Sequence, residues 1–146
     1  MARNQLDTLY RFEKDKEAKA AQQLQAAELD YQQNLERLKG VGEYRLEYMR
    51  RLSERSKEGV DSSVFNHFHS FVNKLDQAGE QVKIAIEQSK AMMEKRKQQW
   101  LMQRQKVQAV EHLREIQLKK EAQVEMRKEQ KMFDEIATQQ FIRRAR

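Results

Sequence analysis

The sequence predicts an all-α protein built as a two-helix antiparallel coiled-coil hairpin, with the second helix longer and overhanging. Three observations carry that prediction. The first is punctuation. The 146 residues include no proline and only 4 glycines, whereas sheets, barrels and sandwiches need turns rich in those residues. The second is the alphabet. Charged residues make up 36% and apolar residues 38% of the chain, and the mean hydropathy is -1.03. Gln, Glu, Lys, Arg, Ala, Leu and Met dominate, and all are good helix formers. Such a composition leaves long helix or disorder. The third is spacing: apolar residues recur at steps of three and four, which selects helix. The length suits one coiled-coil domain over 1–146, with a first helix over about 3–57, a hinge at 58–63 and a second helix over about 64–144.

In the first helix only Gly40 and Gly42 weaken the pattern between Leu6 and Lys57. A stripe runs through Leu24, Tyr31, Leu35, Leu38, Met49 and Leu52, with Glu28, Gly42 and Arg45 filling the other seam positions. Six of nine positions are apolar, an imperfect coiled-coil stripe. Pairs such as Asp15/Lys19 and Glu47/Arg51 support the exposed face.

The hinge reads KEGVDSS, residues 57–63. Gly59 suits the left-handed position after a helix end, and Asp61, Ser62 and Ser63 are candidate N-caps. The second helix has Gly79 as its one weak point. Phe65, Phe68, Val72, Leu75, Val82, Ile86, Met93, Trp100, Val107 and Val110 keep a heptad register. The stripe then slips to Leu113, Ile116, Met126, Phe133, Ile136 and Phe141, which predicts a local change of supercoil between 113 and 126.

One short hinge between two striped helices implies antiparallel pairing. The first helix would measure roughly 80 Å and the second roughly 120 Å at 1.5 Å per residue. With the fold near residue 60, partner numbers should sum to about 121, placing Met49 against Val72, Leu35 against Ile86, Ala21 against Trp100 and Gly42 against Gly79. The two glycines mark either a flex point or a close approach. Beyond about residue 118 the second helix has no intrachain partner, leaving roughly 40 Å to overhang, fray or bind.

Several functions are excluded by what the residues can do. Without cysteine there is no disulfide, thiol nucleophile or zinc-thiolate site. The charged opening MARNQLDTLYRFEKDKEAKAA predicts no signal peptide, and no run approaches the roughly 20 apolar residues of a membrane span. A cytoplasmic location is expected. His67 and His69 point apart on a helix, and His112 beside Glu111 and Glu115 reads as a solvated, salt-bridged side chain. No Gly-rich phosphate loop, nucleophile elbow or substrate-sized cleft is foreseen. A non-catalytic protein without cofactor or metal is expected. The net charge of +6 divides unevenly, as +2 over 1–57, -3 over 58–89 and +7 over 90–146. That points to an acidic partner, a membrane surface, nucleic acid, or simply a solvated helix face.

The informative feature is apolar excess near the hinge. Val41, Tyr44 and Tyr48 form a second stripe beside the first seam, opposite Phe68, Phe71, Leu75, Ala78 and Val82. A two-helix coil cannot bury both stripes, and surplus aromatics mark a partner surface. The other reading is a thicker core at the hinge. Leu6, Leu9 and Phe12 lie near the N-terminus and Phe133, Ile136 and Phe141 at the far C-terminus, and these apolar residues want burial, as in a cavity accepting the tip of a coiled coil.

Five motifs in order resemble one family. They are LDTLYRFEKDKEAKAA (6–21), EYRLEY (43–48), FHSFVNKLDQAGEQ (68–81), Trp100 and RKEQKMFDEIA (127–137). Together they are similar to the FliJ family, the small coiled-coil component of the bacterial flagellar type III export apparatus. The resemblance implies a stalk that binds the flagellar export ATPase hexamer and contacts the cytoplasmic domain of the export-gate membrane protein, promoting export. It also implies contact with export chaperones, and peripheral association with the inner face of the cell membrane. Carried over by resemblance, the gate-binding residues are Val41, Tyr44, Tyr48, Phe71, Leu75, Ala78 and Val82. The ATPase-facing end is Leu6, Leu9, Phe12, Phe133 and Ile136. Arg37 and Val82 depart from residues the family can carry, Gln and His respectively.

The alternatives are an injectisome stalk of the same architecture, a nucleic-acid-binding helix and a structural coiled coil. Acidic residues are mixed among the basic ones along much of the chain, so nucleic acid is not expected as a partner. A stalk should be monomeric when alone, whereas a filament former should self-associate.

Overall fold

The computed structural model describes residues 3–59 and 61–145. Two helices account for the described chain, α1 over Arg3–Lys57 and α2 over Ser62–Ala145, and no strand occurs among the described residues. They pack against each other as an antiparallel coiled-coil hairpin.

The turn follows from local chemistry. Arg55 and Lys57 occupy the last turn of α1, where cations favour the negative end of the helix dipole. The Glu58 amide donates to the Arg55 carbonyl at 3.1 Å and the Gly59 amide to the Ser56 carbonyl at 3.4 Å. Gly59 has φ of 84°, a left-handed conformation that favours glycine because a Cβ would crowd the carbonyl. Of the three candidate caps, Asp61 takes the role. Its carbonyl accepts from the Phe65 amide at 3.1 Å and its carboxylate from the Ser63 hydroxyl at 3.2 Å.

The chain divides into two compact units, one of Lys19–Leu101 and one of Met1–Ala18 with Met102–Arg146. Within Lys19–Leu101 the α1 side of the seam runs through positions 24, 27, 31, 34, 38, 41, 45, 48 and 52, all less than fully exposed. This corrects a third of the stripe expected from sequence. Ala27, Asn34 and Val41 replace Glu28, Leu35 and Gly42 as seam members, and Tyr48 joins the half-buried Met49. The physical reason is on α2. Asn34 is buried because its amide donates to the Ser89 hydroxyl at 3.3 Å and to the Ala85 carbonyl at 3.5 Å. Ser89 in turn donates to the Ile86 carbonyl at 3.0 Å. Leu35, by contrast, is exposed.

The close approach is Val41 over Gly79, not Gly42 over Gly79. Gly79 is buried, and a Cβ built there would lie 3.7 Å from Val41 Cγ1, while Gly42 has nothing within 4 Å. The pairing sum of about 121 nevertheless survives. Arg45 Nε donates to Asp76 at 2.6 Å, and Arg96 donates to Gln23 at 3.1 Å. Leu52, Phe68 and Val72 are buried near the hinge.

In the other unit Leu6, Val107 and Val110 are buried. Polar pairs flank them. Arg114 donates to Asp7 at 3.1 Å and lies 4.4 Å above the Tyr10 ring, and the Tyr10 hydroxyl donates to Glu111 at 3.3 Å. The α2 seam keeps its spacing through Val110, Arg114, Gln117 and Glu121. The slip in the apolar stripe therefore leaves Leu113, Ile116 and Leu118 exposed instead of moving the contact. From 122 to 145 every described residue of α2 is exposed, which is the overhang.

Candidate functional site

Two apolar surfaces stand out, one in each unit. The first lies near the hinge. Tyr48 sits in the seam, its ring 4.7 Å from Phe68 and 4.5 Å from Phe71 between centroids. Tyr44 lies one turn back on the flank, 6.3 Å from Tyr48 and 6.0 Å from Phe71. Aromatic pairs at such distances are worth about 0.5–1.5 kcal/mol beyond their buried area. The cluster is thus a rigid platform and not four loose rings.

The seven hinge-end residues differ in exposure. Tyr44 is 51% exposed and Ala78 is also exposed. Val41, Tyr48, Phe71, Leu75 and Val82 are half-buried. Val41 and Tyr48 thus belong to the seam and not to a separate second stripe, and the exposed part of the surplus apolar surface narrows to Tyr44 and Ala78.

The second surface is the overhang. Phe133 is 72% exposed, and Ile136, Met132 and Phe141 are exposed as well. Met132, Phe133 and Ile136 line a shallow depression with Glu129. At the opposite terminus the three expected residues part company. Leu6 is buried against α2, Leu9 is half-buried and Phe12 is exposed, with Lys16 Nζ 4.3 Å above its ring. Leu6 borders a pocket shared with Arg3, Asp7, Arg114, Gln117 and Leu118, so its apolar surface is spent inside the unit.

Some exposed apolar residues were not singled out from sequence. Leu46, Leu29 and Ile84 face solvent. Phe65, expected in the seam, is exposed too and packs edge-on against His69 at 4.6 Å. The usable signal was heptad position: all four fall outside the spacing that the seam adopts. Arg55 adds a cation 5.8 Å from the Phe68 ring.

The Glu13 carboxyl is perturbed. The Gln103 amide donates to the Glu13 carboxylate and, at 2.9 Å, to the Glu13 carbonyl. That hydrogen bond, aided by Lys16 and Lys106 against a desolvation cost, holds the Glu13 carboxyl below its ordinary range. No group of three or more His, Cys, Asp or Glu side chains suited to a metal occurs among the described residues. No described helix is long and apolar enough to cross a membrane.

Hairpin, polar-layered seam and exposed aromatic cluster together define a two-helix coiled-coil protein. Comparison with known families makes the assignment narrower. The family model described as Flagellar FliJ protein matches residues 1–146, the whole chain. The chain belongs to the FliJ family, a non-catalytic component of flagellar protein export. No curated protein and no solved structure matches it.

Proposed function

We propose that this chain is the stalk-like coiled coil that binds the flagellar export ATPase hexamer and links it to the cytoplasmic domain of the membrane export gate. The observation that carries the reading is Tyr44, half exposed on a platform of Tyr48 and Phe71, in a chain whose whole length matches an export family. A large aromatic ring held rigidly at a surface is the kind of anchor that dominates interface energies. In this reading the gate meets Val41, Tyr44, Tyr48, Phe71, Leu75, Ala78 and Val82, with Tyr44 and Ala78 leading. The ATPase meets Phe12, Phe133 and Ile136, with Leu6 and Leu9 shaping the end from within. Export chaperones share these surfaces, and the gate contact keeps the protein at the inner face of the cell membrane. Alone, it is a monomer.

The test is a pull-down with the purified ATPase and the gate's cytoplasmic domain, with ATP hydrolysis measured in the same samples. Tyr44→Ala should weaken gate capture about tenfold or more, the range of an interface hot spot, while helicity stays unchanged because Tyr44 lies off the seam. Phe133→Ala with Ile136→Ala should reduce ATPase capture and stimulation. Undiminished gate affinity in Tyr44→Ala would reject the hinge-end assignment.

A further inference from the structure

The α1–α2 contact differs in kind between the two units. From Leu24 to Leu52 the α1 seam is mostly apolar and aromatic. In residues 3–18 the positions less than fully exposed are Leu6, Asp7, Leu9, Tyr10, Glu13 and Glu17, with Leu6 the one buried aliphatic and Leu9 half-buried. Charge supplies what apolar burial does not. Arg3 pairs with Glu121 at 3.8 Å, Asp7 with Arg114 at 3.1 Å, Tyr10 with Glu111 at 3.3 Å and Glu13 with Gln103. Glu17 points inward too. Its Oε2 is buried without a hydrogen bond, and Lys14 approaches to 3.6 Å. Against this stand three buried apolar side chains in the unit, Leu6, Val107 and Val110.

We propose that residues 3–18 form a separable arm, held to residues 102–121 of α2 by charge. Raised ionic strength or protonation of Glu13 releases the arm and uncovers Leu6, Val107 and Val110. Exposed ion pairs are screened by salt, whereas apolar burial is not weakened by it. The carboxylates concerned face named partners on both helices. Glu13 meets Gln103 and Lys106 on α2 and Lys16 on α1, Asp7 meets Arg114, Glu111 meets Tyr10 and Glu121 meets Arg3. The Glu13 carboxyl is held below its ordinary range first by the Gln103 hydrogen bond. Its contribution to closure is therefore complete above the ordinary glutamate value of about 4.3 and is lost as pH falls below it. Opening places Val107 and Val110 beside the already exposed Leu113 and Ile116 on one helix, giving this unit a closed and an open state. The proposal stands apart from the export reading.

Amide hydrogen exchange on the full chain tests it. Between about 0.05 M and about 0.5 M NaCl, protection of residues 4–17 should fall about tenfold, while that of residues 24–52 changes less than about twofold. Between about pH 7 and about pH 4, arm protection corrected for intrinsic rates should fall severalfold, and Glu13→Gln should at least halve that fall. Salt-independent arm protection, equal changes in both segments, or an undiminished acid response in Glu13→Gln each overturn the proposal.

Discussion

Replacing the helical glycines by alanine should stabilise the protein at all three sites, and the pattern across sites discriminates between two registers of the hairpin. Gly40 and Gly42 have nothing within 4 Å of a built Cβ. Each replacement should gain the helix-propensity difference of about 1 kcal/mol. At Gly79 the new methyl would sit 3.7 Å from Val41 Cγ1, an ordinary contact. Gly79→Ala adds packing of up to about 0.8 kcal/mol to the propensity gain, for about 1–2 kcal/mol in all. At this chain length each kcal/mol raises Tm by about 3 °C. Gly59→Ala is the internal control. Its φ of 84° should turn the same substitution into a loss of about 1–2 kcal/mol. Urea unfolding followed by far-ultraviolet circular dichroism reads all four variants. Had Gly42 faced Gly79, as the apolar stripe alone suggested, Gly42→Ala would push a methyl into a tight layer. A loss of stability in Gly42→Ala would restore that register, and a loss in Gly79→Ala would refute the Val41–Gly79 geometry.

Other perturbations have equally definite outcomes. Replacing the buried pair with Asn34→Leu and Ser89→Leu should raise stability by about 1–2 kcal/mol, yet produce concentration-dependent association in sedimentation, because a buried polar layer specifies partner and register at a cost in stability. Val107 is 2% exposed, so Val107→Ala should cost about 2 kcal/mol in urea unfolding, while the same change at the exposed Val124 should stay within about 0.5 kcal/mol. The Glu13 carboxyl lies below its ordinary range when folded. The stabilisation that Glu13 contributes should therefore be lost as pH falls below about 4.3, and Glu13→Gln should flatten that part of an acid titration followed by circular dichroism.

Much of the fold was legible in the sequence because it depends on local chemistry. A glycine past a helix end, an aspartate before the next helix and a chain without proline are signals that act within a few residues. The seam was half legible for a different reason. Hydropathy follows Leu35 and Met49 at one spacing, but the adopted face passes through Asn34, Arg45 and Tyr48. Those positions make sense only with their partners on α2: Ser89 for Asn34, Asp76 for Arg45, Phe68 and Phe71 for Tyr48. A polar residue opposite a complementary polar residue is invisible to a one-strand pattern. The same limit governs the candidate surfaces. The exposure of Tyr44, Phe133 and Ile136 follows from stripe position, whereas the burial of Leu6 depends on α2 side chains more than a hundred residues away.

The overhang shows that the end of the hairpin pairing is written into α2 itself. Continued at the same steps of three and four beyond Glu121, the α2 seam would pass through Val124, Lys128, Lys131, Glu135, Thr138 and Ile142. Four of those six are polar, so a longer α1 would find little to bury there, and a seam needs apolar residues at most such positions to hold a partner helix. The exposed residues Met126, Phe133 and Ile136 occupy other positions of the heptad, turned away from the side that α1 covers. The rotation of the apolar stripe after Val110 therefore separates two jobs along one helix. Up to Glu121 the inward face serves α1. Beyond it an unlike face is exposed, and under the proposed ATPase contact a partner covering Phe133 would approach from a side that α1 leaves free. Binding there needs no displacement of α1, so substitutions at Phe133 and Ile136 should leave the unfolding free energy of the isolated protein unchanged within about 0.5 kcal/mol. A larger shift would mean that the overhang folds back on the hairpin, and would remove this surface from consideration as a docking site.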